Sequence, residues 1–169
     1  GLVGSEMCIR DSIFIATKVA YTGGASKDNI NATFTASQIR LQLDCIDLLY
    51  LHRFDDKTPL EETFEALARL QQLKKIRHIG VSNYAAWQVV KAQTVAATMA
   101  TRINMIQPMY SLVKRQAEVE LLPMAKSEGI GVAAYSPLGA GLLTGKDTQS
   151  GIGRLATDSR YAARYGQPW

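Results

Sequence analysis

The chain has 169 residues, of which 47% are hydrophobic and 20% are charged, and its formal net charge is +4. This composition excludes a disordered chain, a collagen-like repeat and a disulfide-stapled miniprotein. The charges are spread along the sequence and no apolar run has the length of a membrane span, so we expect neither a nucleic-acid nor a membrane partner. The two cysteines, Cys8 and Cys45, form no disulfide framework, which predicts a reducing, cytoplasmic location.

Residues 1–12 differ from the rest of the chain. They show no hydrophobic periodicity, contain an early acidic residue, Glu6, and have too short an apolar run for a secretory signal. We therefore expect a non-native or disordered leader at residues 1–12 and one domain at residues 13–169.

The first strand is predicted at residues 13–18 (IFIATK), a short run of apolar, β-favouring residues. A Gly-rich turn follows it. Ser26 is a good N-cap and opens a helical pattern that carries Ile30, Phe34 and Leu41.

The second strand is predicted at residues 45–51 (CIDLLYL), whose apolar residues are typical of a buried strand. Thr58 is the predicted N-cap of the next helix, with Pro59 in the first turn. Three- and four-residue spacing places four apolar side chains on one face of this helix. They are Leu60, Phe64, Leu67 and Leu70.

The alternation of strands and helices continues to residue 135. Strands are predicted at residues 79–81, 103–107 and 130–135, and helices around residues 85–99 and 116–127. Strands that alternate with helices through short loops form a parallel sheet covered by helices. The fold class is therefore predicted to be α/β.

A polar residue able to bind or react stands at the carboxyl end of every predicted strand. These residues are Lys18, His52, Ser82 with Asn83, Gln107, and Tyr135 with Ser136. They are spaced roughly 30 residues apart, as one βα unit each requires. Functional groups at successive strand ends are typical of a (β/α)₈ barrel, whereas an open doubly wound sheet concentrates them at one switch point. The five units predict part of a barrel.

Five segments carry a resemblance to the aldo-keto reductase superfamily, which extends from residue 13 to the C-terminus. The segments are IFIATKV, CIDLLYLHRFD, IRHIGVSNY, IQPMYSLVKR and AYSPLGAGLLTGK. The resemblance implies an NADPH-dependent reductase of small carbonyl compounds on a (β/α)₈ barrel. Hydride would pass from nicotinamide C4 to the carbonyl carbon, and a tyrosine hydroxyl would donate the proton.

The resemblance implies catalytic roles for Lys18 and His52. An ammonium group beside a phenol lowers the pKa of the phenol, and an imidazole can donate a hydrogen bond to the substrate carbonyl. The aspartate and the tyrosine of the family have no match in this sequence. Tyr21 and Asp28 do not match them, because both follow Lys18 and therefore lie in the wrong βα unit. We expect a chain truncated at both ends and inactive by itself.

The resemblance also implies contacts with NADP(H). Ser82, Asn83 and Gln107 would bind the carboxamide, and Tyr135 would stack on the nicotinamide ring. The loop of residues 136–146 would wrap the pyrophosphate. Its candidates are Ser136, Pro137, Leu138, Gly139, Gly141 and Lys146, with Arg154 further along. Taken singly, each residue also fits a structural role as a loop cap, a strand-end polar group, a core residue or part of a surface loop.

One alternative is a non-catalytic regulator that binds a nicotinamide cofactor, similar to the potassium-channel beta subunits. His52 favours the enzyme, because a regulator has no need of a group that polarises a carbonyl. No metal site is predicted, since the two histidines are far apart and have no cysteine or carboxylate at ligand spacing. We interpret His78, which precedes the predicted third strand, as structural.

Overall fold

The computed structural model describes residues 13–145. The predicted leader at residues 1–12, and the candidates Lys146 and Arg154, lie outside the described residues. The chain divides into two compact units, residues 1–105 and 106–169.

In the first unit, strands and helices alternate from β1 to β4. The elements are β1 (Ala16–Val19), α1 (Lys27–Leu41), β2 (Ile46–Leu51), α2 (Leu60–Gln72), β3 (Ile76–Ser82), α3 (Ala86–Thr98) and β4 (Ile103–Gln107), whose last residues belong to the second unit. β2 pairs in parallel with both β1 and β3. Strands that follow one another in sequence are thus neighbours in the sheet.

The second unit is more irregular. It contains a 3₁₀ turn (Gln116–Glu118), α4 (Leu121–Ser127), β5 (Gly131–Val132) and a kinked 3₁₀ segment (Gly139–Thr144). The Ala133 N–H donates to the carbonyl oxygen of Ile106, and Met109 forms a parallel bridge with Tyr135. β5 thereby adjoins the end of β4.

The predicted α/β class is confirmed: within residues 13–145, five parallel strands, in the order β1-β2-β3-β4-β5, alternate with helices. This order is consistent with five consecutive units of a (β/α)₈ barrel. Among the described residues, the longest helix is α1, and no helix combines the length and apolarity needed to cross a membrane.

The core of the first unit lies between the sheet and its helices. All six residues of β2 are buried, as are the four predicted side chains on α2. On α1, Ile30 and Phe34 are buried, but Leu41 is 40% exposed. Leu41 is the last residue of its helix, and the chain turns away at Gln42, which has a left-handed backbone with φ +53°. The predicted helical pattern is confirmed, since Ile30, Phe34 and Leu41 all lie in α1.

The two predicted N-caps have different outcomes. The Ser26 hydroxyl accepts a hydrogen bond from the Asn29 N–H at 3.4 Å, which confirms it as the cap of α1. The prediction of Thr58 as an N-cap was wrong, because α2 begins one residue later with Pro59 as its N-cap. The Thr58 hydroxyl instead donates to Asp55 Oδ2 at 2.6 Å, since a carboxylate is a strong acceptor.

The predicted helix at residues 116–127 is divided in two. Its first part is the 3₁₀ turn Gln116–Glu118, and α4 begins afresh at Leu121. The cause is Pro123: inside a continuous helix its ring would clash with the carbonyl of residue 119, whereas the first turn of α4 tolerates it. The strand predicted at residues 130–135 is shorter than expected, because only Gly131–Val132 is regular.

Candidate functional site

The carboxyl ends of β1, β2 and β3 lie side by side in the first unit. The register pairs Val19 with Leu51, and Leu51 with Val81. The N–H of the next residue, His52, donates to the Val19 carbonyl oxygen at 2.9 Å. Parallel register therefore places the polar residues of three successive strand ends at one edge of the sheet.

Lys18 lies above the ring of Tyr50. Its Nζ atom is 5.6 Å from the ring centroid, within the range of a cation–π contact. Tyr50 itself is buried, and this burial raises the pKa of its hydroxyl. The ring of Tyr50 thus contacts the ammonium group of Lys18, and the hydroxyl of Tyr50 is a poor proton donor.

Gly80 makes room for the Tyr50 ring. The register pairs these two residues, and a Cβ atom at Gly80 would lie 2.5 Å from two carbons of that ring. Lys18, Tyr50 and Gly80 therefore form one row across three strands. Sequence reasoning missed Tyr50, although it lies in β2 only two residues before the candidate His52.

The imidazole of His52 is partly buried and lies in a positive field. Burial is the main cause that lowers its pKa, and the charges of Lys18 and Arg53 lower that pKa further. A lowered pKa keeps the imidazole neutral at neutral pH, with one N–H donor and one acceptor nitrogen. Such a ring can donate a hydrogen bond to a carbonyl oxygen.

Tyr21 covers part of the His52 imidazole. The two ring centroids are 4.7 Å apart with an interplanar angle of 47°, and the Arg53 guanidinium lies 5.5 Å from the Tyr21 centroid. Tyr21 remains 61% exposed. Tyr21 lies in the wrong βα unit for the tyrosine of the family, and no local pattern in the Gly-rich turn shows that it contacts His52.

Ser82 and Asn83 lie where β3 ends. Ser82 is buried, and the side-chain amide of Asn83 donates to Ser82 Oγ and to the His52 carbonyl oxygen. The backbone of Asn83 is left-handed, with φ +57°. The structure therefore brings together four candidates, Lys18, His52, Ser82 and Asn83, at one edge of the first unit.

The loops after β1 and β2 are joined by the Asp55 carboxylate. It accepts hydrogen bonds from the Ala25 N–H at 2.7 Å, from the Thr58 hydroxyl at 2.6 Å and from the Lys57 N–H at 3.0 Å. The bond from Thr58 is the main cause that lowers the pKa of Asp55, followed by the bond from Ala25. A Cβ atom at Gly24 would lie 2.6 Å from Asp55 Oδ2, so the contact requires glycine there.

A cleft of about 580 Å³ opens between these two loops. Gly23, Gly24, Arg53, Asp55 and Lys57 are among the residues that line it. Asp55 is another residue that sequence reasoning missed, since its partner Ala25 lies 30 positions away in the chain.

The prediction that His78 precedes the third strand was wrong. His78 lies inside β3 (Ile76–Ser82), and its ring stacks on Phe14 with centroids 6.2 Å apart. The interpretation of His78 as a structural residue agrees with this stacking contact, four residues before Ser82. Within residues 13–145, no group of three or more histidine, cysteine, aspartate or glutamate side chains is arranged to hold a metal ion.

The second unit holds the remaining described candidates. Gln107 is the last residue of β4, and the Tyr135 N–H donates to the Pro108 carbonyl oxygen at 2.9 Å. Ser136 has a left-handed backbone, and its carbonyl oxygen accepts from the Gly139 N–H. Pro137 and Leu138, between them, are exposed.

Three glycines of the predicted pyrophosphate loop, Gly139, Gly141 and Gly145, have positive φ angles. At Gly139, with φ +59°, a Cβ atom would lie 2.9 Å from Val113 Cγ2, so packing within the unit already explains this glycine. Gly141 has φ +108°, a conformation that glycine adopts readily. The contacts of the loop with a cofactor stay a prediction.

Comparison with known proteins gives consistent matches. The chain matches the Aldo/keto reductase family over residues 2–161. It is 40% identical over 147 residues to aflatoxin B1 aldehyde reductase member 2 of Mus musculus, covering 85% of this chain and 39% of that protein. It is 37% identical over 168 residues to the Homo sapiens protein of the same name, covering 94% and 46%.

A further match is L-glyceraldehyde 3-phosphate reductase of Escherichia coli (strain K12). The two sequences are 34% identical over 145 residues, which cover 81% of this chain and 42% of that protein. The chain thus spans less than half the length of each of these relatives.

Proposed function

The chain belongs to the aldo/keto reductase family, and we propose that the edge formed by Lys18 and His52 serves the NADPH-dependent reduction of small aldehydes or ketones. The observation that carries this proposal is that Lys18, His52 and Asn83 lie at one edge of the first unit, where burial and the charges of Lys18 and Arg53 lower the pKa of the His52 imidazole. The relatives named above are reductases of aldehydes, which supports an aldehyde as the substrate.

In this proposal His52 binds and orients the substrate. Its N–H donates to the carbonyl oxygen, which polarises the carbonyl and stabilises negative charge as it develops on the oxygen. A protonated imidazole would itself be an acid, but the lowered pKa of His52 keeps the ring a neutral donor. Tyr21 restricts the approach of the substrate, because it lies against one side of the imidazole.

Lys18 supplies positive charge near the reacting oxygen. An ammonium group stabilises an alkoxide electrostatically, and it lowers the pKa of a phenol that donates the proton. Tyr50, the tyrosine beneath Lys18, does not suit that donor role because burial raises its pKa. We propose Lys18 as the electrostatic group of the reaction and His52 as the hydrogen-bonding group.

The described residues also suit a nicotinamide cofactor chemically. A carboxamide needs both donors and acceptors, which a serine hydroxyl and the amides of asparagine and glutamine supply, and a flat ring needs a flat partner. We propose that Ser82, Asn83 and Gln107 bind the carboxamide and that Tyr135 stacks on the ring. The cofactor would supply the hydride.

We propose that residues 136–146 and Arg154 contact the pyrophosphate. The glycines of this loop permit close approach of backbone N–H groups to phosphate oxygens, and Lys146 and Arg154 add positive charge. We place the protein in the cytoplasm, since a sequence with only two cysteines forms no disulfide framework.

We also propose that this chain alone reduces carbonyls at a rate below detection, since its sequence contains no match for the tyrosine and aspartate of the family. NADPH oxidation in the presence of an aldehyde, followed by absorbance, tests this directly. Oxidation that is abolished by Lys18→Met would contradict the expected inactivity.

Binding tests the assignment of the site independently of turnover. In an NMR titration, NADPH together with an aldehyde should shift the His52 Cε1–H resonance and leave that of His78 unchanged. Equal shifts of both histidines, or none at millimolar ligand, would contradict the proposed site. We expect cofactor binding to be weak, and tight binding in a fluorescence titration would contradict that expectation.

A further inference from the structure

The side-chain amide of Asn83 contacts the backbone of His52. Its Nδ2 atom lies 2.9 Å from the His52 carbonyl oxygen and 3.2 Å from Ser82 Oγ. A primary amide carries two N–H donors, and these two acceptors match them in number. The protein itself therefore engages both donors of the Asn83 amide.

This hydrogen bond lies beyond the paired part of the two strands. The register of β2 with β3 ends at Leu51 and Val81, one residue before His52. On its other side, the His52 N–H donates to the Val19 carbonyl oxygen at 2.9 Å. The backbone of His52 is thus held by the end of β1 through its N–H, and by Asn83 through its carbonyl oxygen.

The residue type at position 83 meets two requirements together. The backbone is left-handed, with φ +57°, and asparagine adopts this conformation more readily than most residues with a side chain. The contact also needs an N–H donor of the right length. Glycine would satisfy only the backbone, and aspartate would satisfy the backbone without supplying a donor.

We propose that Asn83 is a positioning residue for His52. By fixing the His52 peptide group from the side of β3, its amide sets the direction of the Cα–Cβ bond and hence where the imidazole stands against Tyr21. The functional meaning of this contact rests on the role proposed above for His52. It is a separate role from the carboxamide contact that family resemblance implies for Asn83.

Two substitutions at position 83 and one matched control test the proposal by NMR. Asn83→Gly keeps the left-handed backbone and removes the amide, while Asn83→Asp keeps the size of the side chain and removes both donors. The control is Lys74→Gly, which places glycine at another exposed, left-handed position with φ +55°, before the start of β3 and thus at the opposite end of that strand from Asn83. The readouts are the pKa of His52 and the NOEs between its imidazole and the Tyr21 ring, with His78 as internal reference.

Asn83→Gly should raise the pKa of His52 towards its ordinary value, because a released imidazole gains solvent. Asn83→Asp should raise it further, because the new carboxylate also favours the charged imidazole. Both variants should weaken the NOEs to Tyr21. Lys74→Gly should change neither quantity. If folded Asn83→Gly and Asn83→Asp retain the His52 pKa and the NOEs of the unmodified chain, the proposal is wrong.

The unmodified chain provides a measurement that no folding defect can obscure. The Asn83 side-chain amide protons should exchange slowly with solvent and show NOEs to backbone protons of His52. Fast exchange without such NOEs would refute the contact. None of these readouts involves carbonyl reduction, so failure of the proposed reaction and failure of this inference are separate results.

Discussion

The imidazole of His52 and the phenol ring of Tyr21 lie 4.7 Å apart, centroid to centroid, although 31 positions separate them in the sequence. Tyr21 belongs to the loop after β1, and His52 directly follows β2. Burial is the main cause that lowers the pKa of His52, and Tyr21 is one of the groups against its imidazole. A loop that carries no strand or helix thus contacts a candidate catalytic group.

Replacement of Tyr21 should therefore raise the pKa of His52. Tyr21→Ala exposes the imidazole to water, and solvation favours its charged form. Tyr21→Phe keeps the ring and should leave the pKa close to that of the unmodified chain. An NMR titration of the His52 Cε1–H measures both variants, and an unchanged pKa in Tyr21→Ala would show that Tyr21 does not shield His52.

Lys18→Met should also raise the pKa of His52. The ammonium of Lys18 disfavours a second positive charge nearby, and methionine removes this charge while keeping a side chain of similar length. Lys18→Arg is the matched control, since it retains the charge and should retain the lowered pKa. If His52 has the same pKa in Lys18→Met and in Lys18→Arg, the charge of the Lys18 ammonium does not lower the pKa of His52.

Gly80→Ala should destabilise the first unit by about 1–3 kcal/mol, the usual cost of overpacking a core. The added methyl group would lie 2.5 Å from Tyr50 ring carbons and 3.2 Å from the Met105 carbonyl oxygen. Urea unfolding measures the change in the free energy of unfolding. In a Tyr50→Leu background, Gly80→Ala should lower the free energy of unfolding by less, because the ring carbons that the methyl group meets are absent. An equal loss in both backgrounds would show that the strain does not come from the Tyr50 ring.

Asp55→Ala should reduce the free energy of unfolding at neutral pH by about 1.5–3 kcal/mol, the range for hydrogen bonds to a charged group. Asp55 ties the loop after β1 to the loop after β2 through Ala25 and Thr58. Asp56→Ala, at the exposed neighbouring position, is the control and should change stability by less than about 0.5 kcal/mol. Equal losses of stability in Asp55→Ala and Asp56→Ala would show that Asp55 does not join the two loops.

The effect of Asp55 should depend on pH in a defined direction. Its hydrogen bonds lower its pKa in the folded state, so its contribution is complete above the unfolded pKa of about 3.9 and is lost as pH falls through the folded pKa. The stability difference between the unmodified chain and Asp55→Asn should therefore shrink in acid. Urea unfolding at neutral and acidic pH measures it, and a difference that grows in acid would contradict this sign.

Much of the fold follows from local sequence patterns. The spacing of Leu60, Phe64, Leu67 and Leu70 places them on the buried face of α2, because helical periodicity is a property of neighbouring residues. The same holds for the Ser26 cap and for the apolar run of β2. Helix breaks are local too, and Pro123 marks the break that the prediction for residues 116–127 overlooked.

Alternation of strands and helices also determined, without coordinates, that Lys18, His52 and Ser82 stand at the carboxyl ends of neighbouring strands. Which groups touch His52 was decided only by tertiary structure. Tyr21 and the Asn83 amide reach it from two different loops, and Asp55 joins loops whose residues are 30 positions apart. Such contacts depend on strand register and on left-handed backbone positions, and neither leaves a periodic signal in the chain.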